Sequence, residues 1–127
     1  MTQTTLYALI GGEAGVKRLT RRFYQLMDEL PQAKACRDIH PKDLAGSEEK
    51  LFEYLTGWLG GPPLYVEKRG PPMLRARHLP AKIGAEEISG WLACFHQAWA
   101  ETNPDPRLTE IVLPRVEALA QHMHNTG

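Results

Sequence analysis

Apolar residues recur every three or four positions in four long stretches of this chain, and clusters of glycine and proline separate the stretches. Such spacing gives a helix one apolar face. From Glu13 onward, Val16, Leu19, Phe23, Leu26, Met27 and Leu30 predict a helix that stops before Pro31, after a very short opening segment closed by Gly11 and Gly12. Starting near Asp43, Leu44, Leu51, Tyr54, Leu55, Trp58 and Leu59 predict a second, ended by Gly60, Gly61, Pro62 and Pro63, which cannot continue it. Ile88, Trp91, Leu92, Phe95, Ala98 and Trp99 predict a central helix whose Glu-rich first turn suits the helix dipole. A final helix carries Leu108, Ile111, Val112, Val116, Leu119, Ala120 and Met123, with a bend or break expected at Pro114. A connector holding His40 and Pro41 joins the first two helices. The stretch from Leu64 to Pro80, interrupted by Gly70, Pro71 and Pro72, reads as a loop leading to a short helix that ends at His78. No alternating strand pattern competes, so the fold class is all-α.

At 127 residues the chain is expected to form one domain, residues 1–127, large enough to enclose a guest molecule. Fifteen basic and fifteen acidic residues give zero formal net charge, which argues against nucleic acid or an anionic membrane as partner. Met1 to Leu9 lacks the form of a signal peptide and no apolar run reaches the length of a membrane span, so a cytoplasmic location is expected. Cys36 and Cys94 belong to no CxxC or CxxCH pattern; they read as two buried thiols.

His78 has an unusual setting among the five histidines. It ends a short helical piece between Arg75, Arg77 and the pair Leu79-Pro80, which would hold a ligand on a short rigid arm. Spacing alone leaves two readings open, a metal ligand or a surface histidine capping a helix end. His96, His122 and His124 lie on the last two helices and read as solvated.

Several landmarks occur together and in order: Gly11-Gly12, Phe23-Tyr24, Leu44-Ala45-Gly46, Gly60-Gly61-Pro62, Arg75-Ala76-Arg77-His78 with Pro80, and Trp91 thirteen residues after that histidine. In this set, from about Leu6 to Met123, the chain resembles the second group of truncated haemoglobins. The resemblance implies a truncated globin-like two-over-two helical sandwich. It also implies one haem b (iron protoporphyrin IX) whose proximal iron ligand is His78, on a helix cut to a turn. Tyr24 then stands at the family's distal tyrosine and Trp91 at its distal tryptophan. His40 takes a connector position usually held by Tyr, Phe or His, and Ser47 and Leu51 line the distal side of the second long helix.

A haem needs an apolar slot and cations near its two propionates. Arg77 and Lys82 are candidates for the cations, and Met73, Leu74, Tyr54, Leu55, Ile83 and Phe95 for ring contacts, although a helical apolar stripe is also the ordinary core of any bundle. His40 can donate to a ligand, take the sixth iron position, or simply face solvent.

Two functions are compatible with the resemblance. One is reversible binding of dioxygen, carbon monoxide, nitric oxide or similar small ligands, with Tyr24 and Trp91 as donors. The other is redox catalysis, as a nitric oxide dioxygenase or peroxidase-like enzyme. The chain carries no flavin or nicotinamide fingerprint, so catalysis would require an external reductase. A haem-free helical interaction module is the remaining alternative. A monomer and a homodimer are both compatible with the sequence.

Overall fold

Each of the four long apolar patterns is a helix in the computed structural model, which describes residues 5–73, 78, 81–103 and 105–125. Numbered along the chain, they are α2 (Gly12–Glu29), α4 (Ala45–Trp58), α6 (Ala85–Thr102) and α7 (Pro106–His122). Among the described residues there are also short helices: α1 (Leu6–Leu9), α3 (Lys34–Asp38), entered through a 3-10 turn at Pro31–Ala33, and α5 (Leu64–Arg69). Among the described residues there is no strand.

Helix α2 is the centre of the molecule, packed against both α4 and α6, while α6 also packs on α3 and α7. Its inward face of Val16, Leu19, Phe23, Leu26 and Met27 is at most 1 % exposed, and the same core takes Leu55 from α4, Phe95 and Trp99 from α6, and Val112 and Val116 from α7. Each such aliphatic side chain contributes roughly 1.5–3 kcal/mol by leaving water, so packing, more than helix propensity, holds these elements. Gly90 permits a close approach. A Cβ there would lie 3.0 Å from the Ala33 Cα and the Gln32 carbonyl oxygen, so α6 sits directly on the 3-10 turn that leads into α3.

The connector between α2 and α4 is largely helical, because its short turns bury Ala33 and Cys36 against α6. Two sequence expectations need correction. The expected loop after Leu64 begins with α5, six residues of which only Tyr65 is buried. Its ties to α4 are electrostatic: the nearly enclosed Glu53, 7 % exposed, accepts from Arg69 Nε at 2.6 Å and lies 3.2 Å from Lys68 Nζ, while Lys68 also donates to Glu49 at 2.7 Å. Finally, α7 continues through Pro114 without a break. The carbonyl that Pro114 leaves unpaired belongs to Glu110, an exposed residue, while Val112 and Val116 on either side of the proline are fully buried and hold the helix in place.

Candidate functional site

Phe23, near the middle of α2, is the hub of an aromatic cluster. Its ring meets Tyr24 edge-on at a centroid distance of 4.8 Å and Trp91 at 5.0 Å. Along α6 the rings of Trp91, Phe95 and Trp99, one turn apart, stack at 5.5 Å and 6.2 Å. The Trp99 indole N–H donates to Thr109 Oγ1 at 2.9 Å, which ties α6 to α7. Trp91 and Tyr24 differ from it: among the described residues neither the Trp91 indole N–H nor the Tyr24 hydroxyl has a hydrogen-bond partner.

Tyr24 is 7 % exposed, and burial pushes its hydroxyl well above its ordinary pKa, so it remains a protonated donor at any physiological pH. His40 stands across from it, ring centroids 6.0 Å apart. The solvent-facing alternative for His40 does not hold, because the residue is half-buried and bonded through Nδ1 to the Cys36 carbonyl at 2.8 Å. A carbonyl can only accept, so Nδ1 carries the proton and Nε2 of the neutral ring presents a lone pair. Burial lowers the His40 pKa, and the nearby Arg37 and His78 lower it further, against the bond to Cys36 that raises it.

The turn carrying His40 is braced by Arg37. Its Nε donates to Asp28 on α2 at 2.6 Å, and its two terminal nitrogens donate to the carbonyls of Pro41 and Lys42 at 2.9 Å and 2.8 Å. Sequence reasoning missed Arg37, which looks like any surface cation. It also missed Phe23 as the hub, since one aromatic on an apolar face carries no signal of its own.

On α4, Ser47, Leu51 and Tyr54 are half-buried at one-turn spacing, with Tyr54 edge-on to Tyr65 of α5 at 6.2 Å. Leu55 and Phe95, both 1 % exposed, are enclosed by protein neighbours. Ile83 is buried in a second, smaller cluster with Ile88 and Ala120, onto which Trp91, Ala81, Ile39 and Met123 pack. Met73 is 65 % exposed with a positive φ of 40°, and Lys82 is exposed. His78 is helical and exposed; its carbonyl accepts from the Ala81 N–H at 3.0 Å. Leu74 and Arg77 lie outside the described residues. The structure thus sets Tyr24 and Trp91 against Phe23, with His40 facing Tyr24. His96 was expected to be solvated, yet its Nε2 is buried, 3.3 Å from Glu117 Oε1.

The thiols of Cys36 and Cys94 are both buried, and burial pushes the first up to about 12 and the second up to about 11. Among the described residues no group of three or more His, Cys, Asp or Glu could hold a metal ion, and no helix is long and apolar enough to cross a membrane.

A family model described as bacterial-like globin matches residues 5–125. The chain is 40% identical over 114 residues to the group 2 truncated hemoglobin YjbI of Bacillus subtilis, covering 90% of this chain and 84% of that one. Among solved structures, a group II 2-on-2 hemoglobin from Agrobacterium tumefaciens is 57% identical with a TM-score of 0.97, covering 100% of this chain and 98% of the other. A truncated oxygen-avid haemoglobin from Bacillus subtilis is 38% identical with a TM-score of 0.87, covering 96% and 100%. The two-over-two helical sandwich implied by the sequence resemblance is therefore the architecture of this chain.

Proposed function

We propose that this chain, which belongs to the bacterial-like globin family, holds haem b through His78 and binds dioxygen reversibly in a distal pocket whose donors are Tyr24 and Trp91. Membership of the family carries haem and the binding of a small ligand at it; the residues and the ligand are the proposal.

The observation that carries it is the pair of uncommitted donors. Among the described residues the Tyr24 hydroxyl and the Trp91 indole N–H have no hydrogen-bond partner, and both rings sit on one aromatic cluster about Phe23. Such groups fit a ligand that arrives later. The surroundings fit a haem as well: half-buried Leu51 and Tyr54 on α4 and buried Ile83 offer apolar contact, Leu55 and Phe95 back them from the core, and exposed Lys82 suits a propionate.

When bound, a haem held by His78 would supply an iron able to take a diatomic ligand. Tyr24 and Trp91 donate hydrogen bonds to that ligand, strengthened by the low dielectric of the pocket. The raised pKa of Tyr24 keeps its donor proton in place. His40, with its proton committed to Cys36, acts as an acceptor while neutral, and Ser47 lies farther along α4 as an additional polar group. The oxygen-avid relative supports dioxygen as the ligand. No observation favours the redox alternative.

The visible spectrum of the purified protein, ferric and reduced, with and without carbon monoxide, tests the proposal beside His78→Ala. The expected result is a Soret band that shifts on reduction and on carbon monoxide binding, and that weakens or fails in the variant. Absence of a Soret band after haem is added, or an unchanged spectrum in His78→Ala, would overturn it.

A further inference from the structure

Asn125 reaches back across the molecule to the segment that follows His78. Its backbone N–H donates to the Ile83 carbonyl at 2.9 Å, and its Oδ1 accepts from the Ile83 N–H at 2.8 Å, closing a two-bond ring between residues 42 positions apart. Its Nδ2 donates to the Ala81 carbonyl at 3.0 Å and to the carbonyl of His78 itself at 3.4 Å. All three donor hydrogens of this asparagine, and its side-chain oxygen, are thus spent on residues 78 to 83.

Residues 81 to 84 have no regular secondary structure, and α6 begins only at Ala85. The turn from Ala81 N–H to the His78 carbonyl is local and cannot fix the segment against the rest of the protein. The second apolar cluster ties the same two regions together: Ile83 is buried there beside Ala120 of α7, with Ala81 and Met123 packed on it. The backbone on which the His78 imidazole stands is therefore tied to the residues just past α7, and Asn125 supplies those bonds.

We infer that Asn125 is a positioning residue for His78: it fixes the direction from which the imidazole reaches iron, and so both the strength of the iron–histidine bond and the tenacity with which haem is kept. The inference rests on the proposed role of His78. Asparagine is the side chain that fits. Aspartate keeps the acceptor for Ile83 but loses both donors and sets a negative charge against two carbonyls, and alanine loses all three side-chain bonds.

The test uses the haem-loaded protein and two readouts, the iron–histidine stretching band of the ferrous, ligand-free form by resonance Raman and the rate of haem transfer to apomyoglobin. Asn125→Asp and Asn125→Ala are expected to shift the band and to speed haem loss about fivefold. Ala118→Gly, at an exposed position of α7, weakens the helix without touching residues 78 to 83; it is expected to lower the melting temperature and leave the band where it is. An unchanged band and haem-loss rate in both Asn125 variants would overturn the inference, and so would an equal shift in Ala118→Gly. Those results leave the role of His78 intact if His78→Ala abolishes the band. A band that survives in His78→Ala would overturn the role of His78 and the inference together.

Discussion

The His40 imidazole donates through Nδ1 to the carbonyl of Cys36, 2.8 Å away and one helical turn earlier. This bond decides what the ring offers to its other side. At neutral pH the exposed valence is a lone pair; only a second proton would turn it into a donor, and burial resists that proton.

The sign of a pH effect follows. Unfolded, the ring titrates at 6.5, and folded it titrates lower. Between those values the unfolded chain holds the extra proton, so stability is lost as pH falls through this window. Melting temperatures of wild type and His40→Phe between pH 5 and 8 should converge toward the acid end, the wild type falling more steeply. Parallel curves would show that His40 titrates normally.

Loss of either distal donor should speed ligand release. Each hydrogen bond is worth about 1 kcal/mol, so Tyr24→Phe and Trp91→Phe should each raise the dioxygen off-rate about fivefold, measured by stopped-flow replacement with carbon monoxide. Phenylalanine retains most of the ring packing around Phe23, which separates the lost donor from lost core. Unchanged off-rates in both would remove these residues from the pocket.

Glu53 anchors α5 to α4 through Arg69 and Lys68. Burial raises its pKa, but hydrogen bonds and charge from the two cations outweigh this and hold it below the ordinary carboxylate value. The contribution is present above that value and lost as pH falls through the lower folded one. Glu53→Ala should lower stability by about 2 kcal/mol in urea unfolding and speed amide exchange across residues 64 to 70. Exchange confined to its wild-type rate there would place the anchor elsewhere.

Neither thiol should react in the folded protein. With pKa values pushed up to about 12 and about 11 and no exposed surface, Cys36 and Cys94 hold almost no thiolate at neutral pH. A chromogenic disulfide reagent should count none in the native protein and two in denaturant. Fast native labelling would mean that α3 opens away from α6.

The four long helices were legible because their stability and their pattern have one cause: a face of Val16, Leu19, Phe23 and Leu26 both repeats in sequence and fills the core. Helices α3 and α5 were not, since five or six residues are too short for a period to show, and what holds α5 is the pairing of Arg69 with a glutamate sixteen positions away. The ordered landmarks brought out Tyr24, His40 and Trp91. They carried nothing about Arg37 or Asn125, whose partners are mostly backbone carbonyls and leave no trace in residue type. At Pro114 the break that a strong local signal offered is absent, and buried Val112 and Val116 stand on either side of it.

The clasp between Asn125 and residues 78 to 83 also sets an order of assembly. A ribosome adds roughly 5–20 residues per second, so the stretch bearing His78 is made seconds before the residue that secures it, 47 positions later. During that interval the arm lacks the bonds that Asn125 gives it. Stable capture of a prosthetic group then belongs to the period after this asparagine has emerged, and a nascent chain stalled short of it would hold such a group loosely, however complete its helices.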